Sequence, residues 1–151
     1  MPQSLAAVYL HLVYSTKGRQ PFLVDHATRE SLHAYLGGTS KQLDCPTIIV
    51  GGIEDHVHLL ARFGRTITLA NWVKEVKRVS SLWLKKQGRK YDGFEWQRGY
   101  GVFSVSHSKL AQVEDYIVNQ AEHHRLMSFQ DELRFLFRKH NVEFDEQYVW
   151  D

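Results

Sequence analysis

Apolar positions along the chain change period several times, and each change marks an element. The run AVYLHLVYS (Ala7 to Ser15) alternates as a β-strand does, and the loop TKGRQPFL that follows is broken by Gly18 and Pro21. A helical pattern from Asp25 to Leu36 is expected to end at Gly37-Gly38. PTIIVGGI and HVHLLARF are β-branched or apolar runs on either side of Glu54-Asp55, which predicts a hairpin of two antiparallel strands. From Thr68 to Gln87 the apolar residues Leu69, Trp72, Val73, Val76, Val79 and Trp83 recur at helical spacing. VFSVS then predicts a fourth strand, Ser108 a cap for a helix through KLAQVEDYIVNQAEHHRLM, and Phe129 to Lys139 a last helix.

The order strand, helix, strand, strand, helix, strand, then further helices, predicts an α+β fold. It is a ferredoxin-like sandwich (β-α-β-β-α-β) with an antiparallel sheet and additional C-terminal helices. In that layout helices cover one face of the sheet and leave the other open for a site or a partner. No repeat, low-complexity tract or linker interrupts the pattern, and 151 residues with 43% hydrophobic content suit one domain, 1–151, with a real core.

Composition narrows the surroundings more than the chemistry. The single cysteine, Cys45, excludes an internal disulfide framework, and no Cys-x-x-Cys pair offers a zinc site. With neither a signal-peptide pattern nor a run of eighteen apolar residues, the expectation is a soluble cytoplasmic protein that engages no membrane. Net charge is only +2, yet Lys74, Lys77, Arg78, Lys85, Lys86, Arg89 and Lys90 crowd a segment in which Glu75 is the only acid. Such clustering suits a polyanionic partner, although a solvated helix face would look the same.

Two histidines break the apolar pattern of the second hairpin strand. Side chains alternate along a strand, so Val57, Leu59, Ala61 and Phe63 share one face while His56, His58 and Leu60 share the other. With the first set in the core, both imidazoles fall on the open face, where two neutral ring nitrogens can reach one divalent cation. A lone His-x-His is more often structural. A second constellation supports chemistry: Tyr116 and Gln120 stand four residues apart on the predicted helix, about 40° apart around its axis, beside the stripe Leu110, Val113, Ile117 and Ala121.

Taken together, HVH on the hairpin strand, WQRGYGVFSVSHS leading into the next helix, and YIVNQAEHH on that helix resemble the single-tyrosine HUH transposases of small bacterial insertion sequences, the IS200-like transposases. The resemblance extends from HLVYSTKGRQPFL through the tyrosine helix. It implies that His56, His58 and Gln120 hold a divalent metal, Mg²⁺ or Mn²⁺, with Asn119 as a substitute for Gln120. It implies also that Tyr116 attacks single-stranded DNA near element ends marked by imperfect hairpins, through a covalent 5′-phosphotyrosine. Lys17, Arg19, Lys74, Lys77 and Arg78 are candidate phosphate contacts, and Tyr100 and Trp96 candidate stacking platforms for bases. A homodimer is the expected assembly, with the tyrosine of one subunit placed against the histidines of the other.

Other classes fit less well. A two-histidine phosphodiesterase needs two separated His-x-Ser/Thr motifs and only His26-Ala27-Thr28 qualifies; a histidine-triad hydrolase needs a third histidine where Leu60 stands. The alternative that remains is a non-catalytic or domesticated hairpin DNA-binding protein on the same fold.

Overall fold

The structure, a computed structural model, describes residues 2–151. Its sheet has four strands, β1 (Tyr9–Ser15), β2 (Thr47–Gly52), β3 (His56–Arg62) and β4 (Gly101–Val105), in the order β2-β3-β1-β4 with every pairing antiparallel. Two long helices join them, α1 (His26–Gln42) between β1 and β2, and α2 (Leu69–Lys85) between β3 and β4. Three shorter ones follow β4: α3 (Leu110–Val118), α4 (Gln120–His123) and α5 (Phe129–Lys139). This is the predicted α+β sandwich. No helix among the described residues is long and apolar enough to cross a membrane.

Register divides the side chains between two faces. Leu12 pairs with Leu59 and Tyr14 with Val57, and these residues, with Leu10 and Ala61, are buried beneath α1 and α2. Val13 pairs with His58, Ser15 with His56 and His11 with Leu60, so β1 and β3 turn these side chains to the opposite face. α2 begins at Thr68, whose hydroxyl accepts from the Asn71 amide, and presses Trp72, Val73, Val76 and Leu84 into the first face. At about 1.5–3 kcal/mol for each large apolar side chain fully buried, this layer is the main source of stability.

Three expectations fail. α1 does not stop at Gly37-Gly38 but continues to Gln42, because Leu36, Thr39 and Ser40 stay buried and Ser40 Oγ donates to the Cys45 carbonyl while accepting from Trp72 Nε1. Tertiary packing outweighs the low helix propensity of glycine. The helix expected over Lys109 to Met127 breaks at Asn119 (φ −93°, ψ 23°), so Tyr116 and Gln120 lie on separate short segments, and Ala121 of the expected apolar stripe is exposed.

The histidine face, finally, is not open. α3 and α5 close over it, and a second apolar cluster of Val13, Phe103, Phe129, Leu133, Leu136 and Phe137 packs there. Two glycines admit the helices: a Cβ on Gly51 of β2 would lie 2.7 Å from Ile117 Cγ2, and one on Gly101 of β4 would lie 2.9 Å from Leu133 Cδ1. A larger residue at Gly51 would also crowd the Ile117 backbone oxygen, 3.1 Å away, and so press on α3, whereas at Gly101 it would first displace the Leu133 and Phe103 side chains.

Candidate metal and tyrosine site

Beneath those helices lies a nest of polar side chains with almost no exposure. His56, His58, Gln120 and Glu132 are each at most 1% exposed. The cover of α5 explains why: Ser128 caps it by accepting from the Asp131 amide, and its apolar stripe of Phe129, Leu133, Leu136 and Phe137 seats it on the sheet. Glu132 falls within that stripe and in the first turn, where the helix dipole favours a carboxylate.

Glu132 is the hub. Its Oε1 lies 3.1 Å from His58 Nε2, 3.4 Å from His56 Nε2 and 3.0 Å from His124 Nε2. Its Oε2 accepts from Gln120 Nε2 at 2.9 Å and, through a short bond, from the Tyr116 hydroxyl. Burial opposes its charge, but the bonds from His124, His56 and His58 outweigh that and hold the carboxyl far below the usual carboxylate range.

Each strand histidine is oriented through its other nitrogen. His56 Nδ1 meets Asp55 Oδ1 at 2.6 Å, and His58 Nδ1 meets His11 Nε2 at 2.8 Å. Both Nε2 atoms are thus aimed at one point, the arrangement expected of metal-ligating imidazoles with outer partners. Burial works against a charged His56, yet its bonds to Asp55 and Glu132 prevail and raise it to about 9. For His58 burial prevails and lowers its pKa, and burial next to His58 pulls His11 well below the ordinary histidine value. His11 therefore sits as a neutral ring beside His58.

One ligand atom each from His56, His58 and Glu132 lie within 4.8 Å of one another, and two imidazoles with a carboxylate form a donor set that fits a divalent metal. Gln120, the third ligand implied by the resemblance, is at the site, but its Oε1 is 2.8 Å from His56 Nε2 and its amide nitrogen is bonded to Glu132. Asn119 is not at the site: it is exposed, and its side chain donates to the Asp115 carbonyl. Tyr116 is half-buried, its ring centroid 6.0 Å from that of His58, with His123 stacked on it at 4.7 Å. Burial first, and the Glu132 charge second, push its phenol above the usual range. Within the single chain described, the Tyr116 hydroxyl, His56, His58 and Gln120 all meet at Glu132.

The basic residues separate into two kinds. Lys74, Lys77, Arg78, Lys85 and Arg98 line a cleft of about 530 Å³ with Tyr100. Lys77 is largely occupied: its Nζ donates to the carbonyls of Gln97 and Gly99 at 2.8 Å and of Arg98 at 3.2 Å, and burial brings its pKa to about 8. Arg78 bonds to Glu75, Lys17 to Glu95, and Arg19 donates to the Trp150 carbonyl at 2.8 Å. Trp96, expected as a base-stacking platform, is instead a core side chain, T-stacked on Tyr14 and donating to Ser80 Oγ at 3.0 Å.

Sequence reasoning missed Glu132, His11 and His124. A signal existed for the first two: Glu132 interrupts the apolar stripe of its helix three residues after Phe129 and four before Leu136, and His11 shares a strand face with Val13. His124 had no such signal, since its helix ends one residue earlier.

Comparison with known proteins bears on the family and the fold. The family described as Transposase IS200 like matches residues 4–120. Among solved structures, a Deinococcus radiodurans R1 protein named as a candidate transposase is 26% identical, covering 80% of this chain and 95% of its own, with a TM-score of 0.61. A REP-associated tyrosine transposase bound to a REP hairpin shares the fold at 12% identity and a TM-score of 0.57, covering 82% of this chain and 72% of its own. No curated protein matches the chain.

Proposed function

The chain belongs to the IS200-like transposase family, and from that premise we propose that it cuts and rejoins single-stranded DNA at hairpin-marked element ends, with Tyr116 as the nucleophile. The observation that carries this reading is the convergence of the Tyr116 hydroxyl and the His56 and His58 ring nitrogens on the Glu132 carboxylate. A divalent ion held by His56, His58 and Glu132, with the Gln120 oxygen beside them, would withdraw charge from a non-bridging phosphate oxygen and offset charge developing in the transition state. Mg²⁺ or Mn²⁺ suits the mixed oxygen and imidazole donors.

The residues supply the rest. Tyr116 Oη attacks phosphorus in line, the P–O3′ bond breaks, and the departing oxygen leaves as a DNA 3′-hydroxyl once protonated. The 5′-phosphotyrosine ester conserves the energy of the broken linkage, so a later 3′-hydroxyl can reverse the step without ATP. Glu132 Oε2 is placed to take the phenolic proton. Moving that proton before attack would cost about 8 kcal/mol even for unperturbed groups, so the carboxylate acts as the new P–O bond forms and the phenol becomes more acidic.

We propose a cytoplasmic homodimer that holds two element ends, each copy bringing a complete site from its own chain. The burial of both histidines favours one other reading, a hairpin-binding protein that does not cut. Covalent capture separates the two. With hairpin-bearing single-stranded DNA and Mn²⁺, the protein should form a denaturation-resistant adduct; Tyr116→Phe, which lacks the phenolic oxygen, should bind the hairpin but form no adduct. Hairpin binding with no adduct under any metal would establish the non-cutting reading.

A further inference from the structure

Beside the tyrosine lies a second cavity that the proposed chemistry leaves unused. It measures about 620 Å³, between β4, α3 and α5, within the range of small-molecule sites. Tyr116 and His11 line it as well as the metal nest, so the two compartments share a wall. Around the rest of the cavity stand Lys109, Gln112, Phe135 and Lys139. Phe135 is 51% exposed, an aromatic face left in solvent on a helix whose other aromatic residues are buried. Among the described residues, Lys109, Gln112 and Lys139 make no side-chain hydrogen bond or ion pair, in contrast to Lys17, Lys77, Arg78 and Arg134.

We propose that this cavity is a nucleotide subsite, taking the deoxynucleotide that stays attached to Tyr116 after cutting, the one on the 3′ side of the scissile phosphate. The proposal rests on Tyr116 being the nucleophile. In-line displacement carries the leaving 3′-oxygen to the side of phosphorus opposite the phenol, while the retained nucleoside, on the 5′-oxygen, stays on the flank of the tyrosine. That flank is the cavity. Its chemistry matches one nucleotide of a single strand: a free aromatic face for the base, two unpaired ammonium groups for the neighbouring phosphates, and a free amide to read a base edge. The subsite would give the enzyme a preference at the cut that the hairpin itself does not encode.

The test is binding of a 5′-phosphorylated, 3′-labelled single-stranded tetranucleotide to the full chain in EDTA, so that no cutting intervenes, followed by fluorescence anisotropy. The four sequences that differ in the first base should bind unequally. Phe135→Ala should weaken binding about 10-fold, and Phe135→Trp, which retains a π-face, should restore it. Lys139→Gln should weaken it and flatten its salt dependence. Affinities that Phe135→Ala and Lys139→Gln leave unchanged would overturn the proposal, as would self-association of the free protein that Phe135→Ala abolishes, which would give the face to a second copy. Adduct formation on hairpin DNA, run in parallel, keeps the two readings apart. Adduct with unaffected tetranucleotide binding removes the subsite and keeps the nucleophile; weakened tetranucleotide binding with no adduct removes the nucleophile and leaves the cavity a strand-binding site.

Discussion

The two faces of the sheet are made from the same strands and are buried alike, yet one is almost wholly apolar while the other sets a nest of polar side chains beside an apolar cluster. Under α1 and α2, Leu10, Leu12, Tyr14, Val57, Leu59 and Ala61 meet an apolar layer. On the other side, beside a smaller apolar cluster, His56 and His58, with His11 bonded to His58, meet Gln120 and Glu132. Removing apolar surface from water stabilises the fold without needing any particular partner, whereas every buried imidazole and carboxylate must find one or cost several kcal/mol. The polar face meets that demand through a continuous chain of bonds, from His11 through His58 and Glu132 to His56 and Asp55. The proposed function assigns binding to the face that needs so many matched partners, while its neighbour supplies the larger share of the apolar burial.

Adjacent residues make the sharpest test of this division. Leu59→Ala opens a cavity in the apolar face and should cost about 2–5 kcal/mol in urea unfolding, while the folded fraction keeps its affinity for Mn²⁺. His58→Ala removes a proposed metal ligand and should lower Mn²⁺ affinity by on the order of 100-fold or more, with a loss of stability comparable to that of Leu59→Ala because Glu132 and His11 each lose a buried partner. If both substitutions moved both quantities in proportion, the faces would not divide the work.

The same contrast explains what was legible in the sequence. Strands, long helices and the topology rest on the period of apolar residues, which the first face imposes over many positions, so β1, β3, α2 and α5 were predicted to within a few residues. The hairpin pattern HVH showed as a break in that period. Glu132 showed more weakly, as one carboxylate interrupting the apolar residues Phe129, Leu133 and Leu136, and its role becomes plain only once α5 is known to lie on the sheet. The closure of the histidine face depends on Gly51 and Gly101 meeting Ile117 and Leu133, contacts between residues far apart in the chain that periodicity does not encode.

His11 sharpens the comparison from within the polar face. For His58 to ligate through Nε2 as a neutral ring, its proton must sit on Nδ1 and be donated to His11 Nε2, 2.8 Å away. His11 is thus a positioning residue that sets tautomer and ring angle. His11→Ala should lower Mn²⁺ affinity about 10–100-fold, and His11→Gln, which keeps an acceptor, should recover part of it. Equal loss in both variants, accompanied by equal loss of thermal stability, would make His11 a packing residue only.

The smallest expected effects lie on the outer surface of α2, where the basic residues differ in how they are engaged. Lys77 bonds three carbonyls of the 97–99 segment and sits over the Tyr14 ring at 4.9 Å, so its ammonium is committed to holding that segment against the apolar core. Lys74 makes no ion pair or side-chain hydrogen bond among the described residues, and Arg78 shares its charge with Glu75 across one helical turn. If strand DNA crosses this cleft, each phosphate neutralised contributes roughly 0.7 to the slope of log affinity against log salt. Lys74→Gln should therefore flatten the slope by about that amount, and Arg78→Gln by less, because Glu75 already offsets part of the field. Lys77→Gln should leave the slope nearly unchanged and instead loosen the 97–99 segment, read as faster amide exchange there. A salt slope that falls with Lys77→Gln and not with Lys74→Gln would mean that DNA displaces the carbonyls from Lys77, and the division between core-facing and DNA-facing charge on α2 would have to be redrawn.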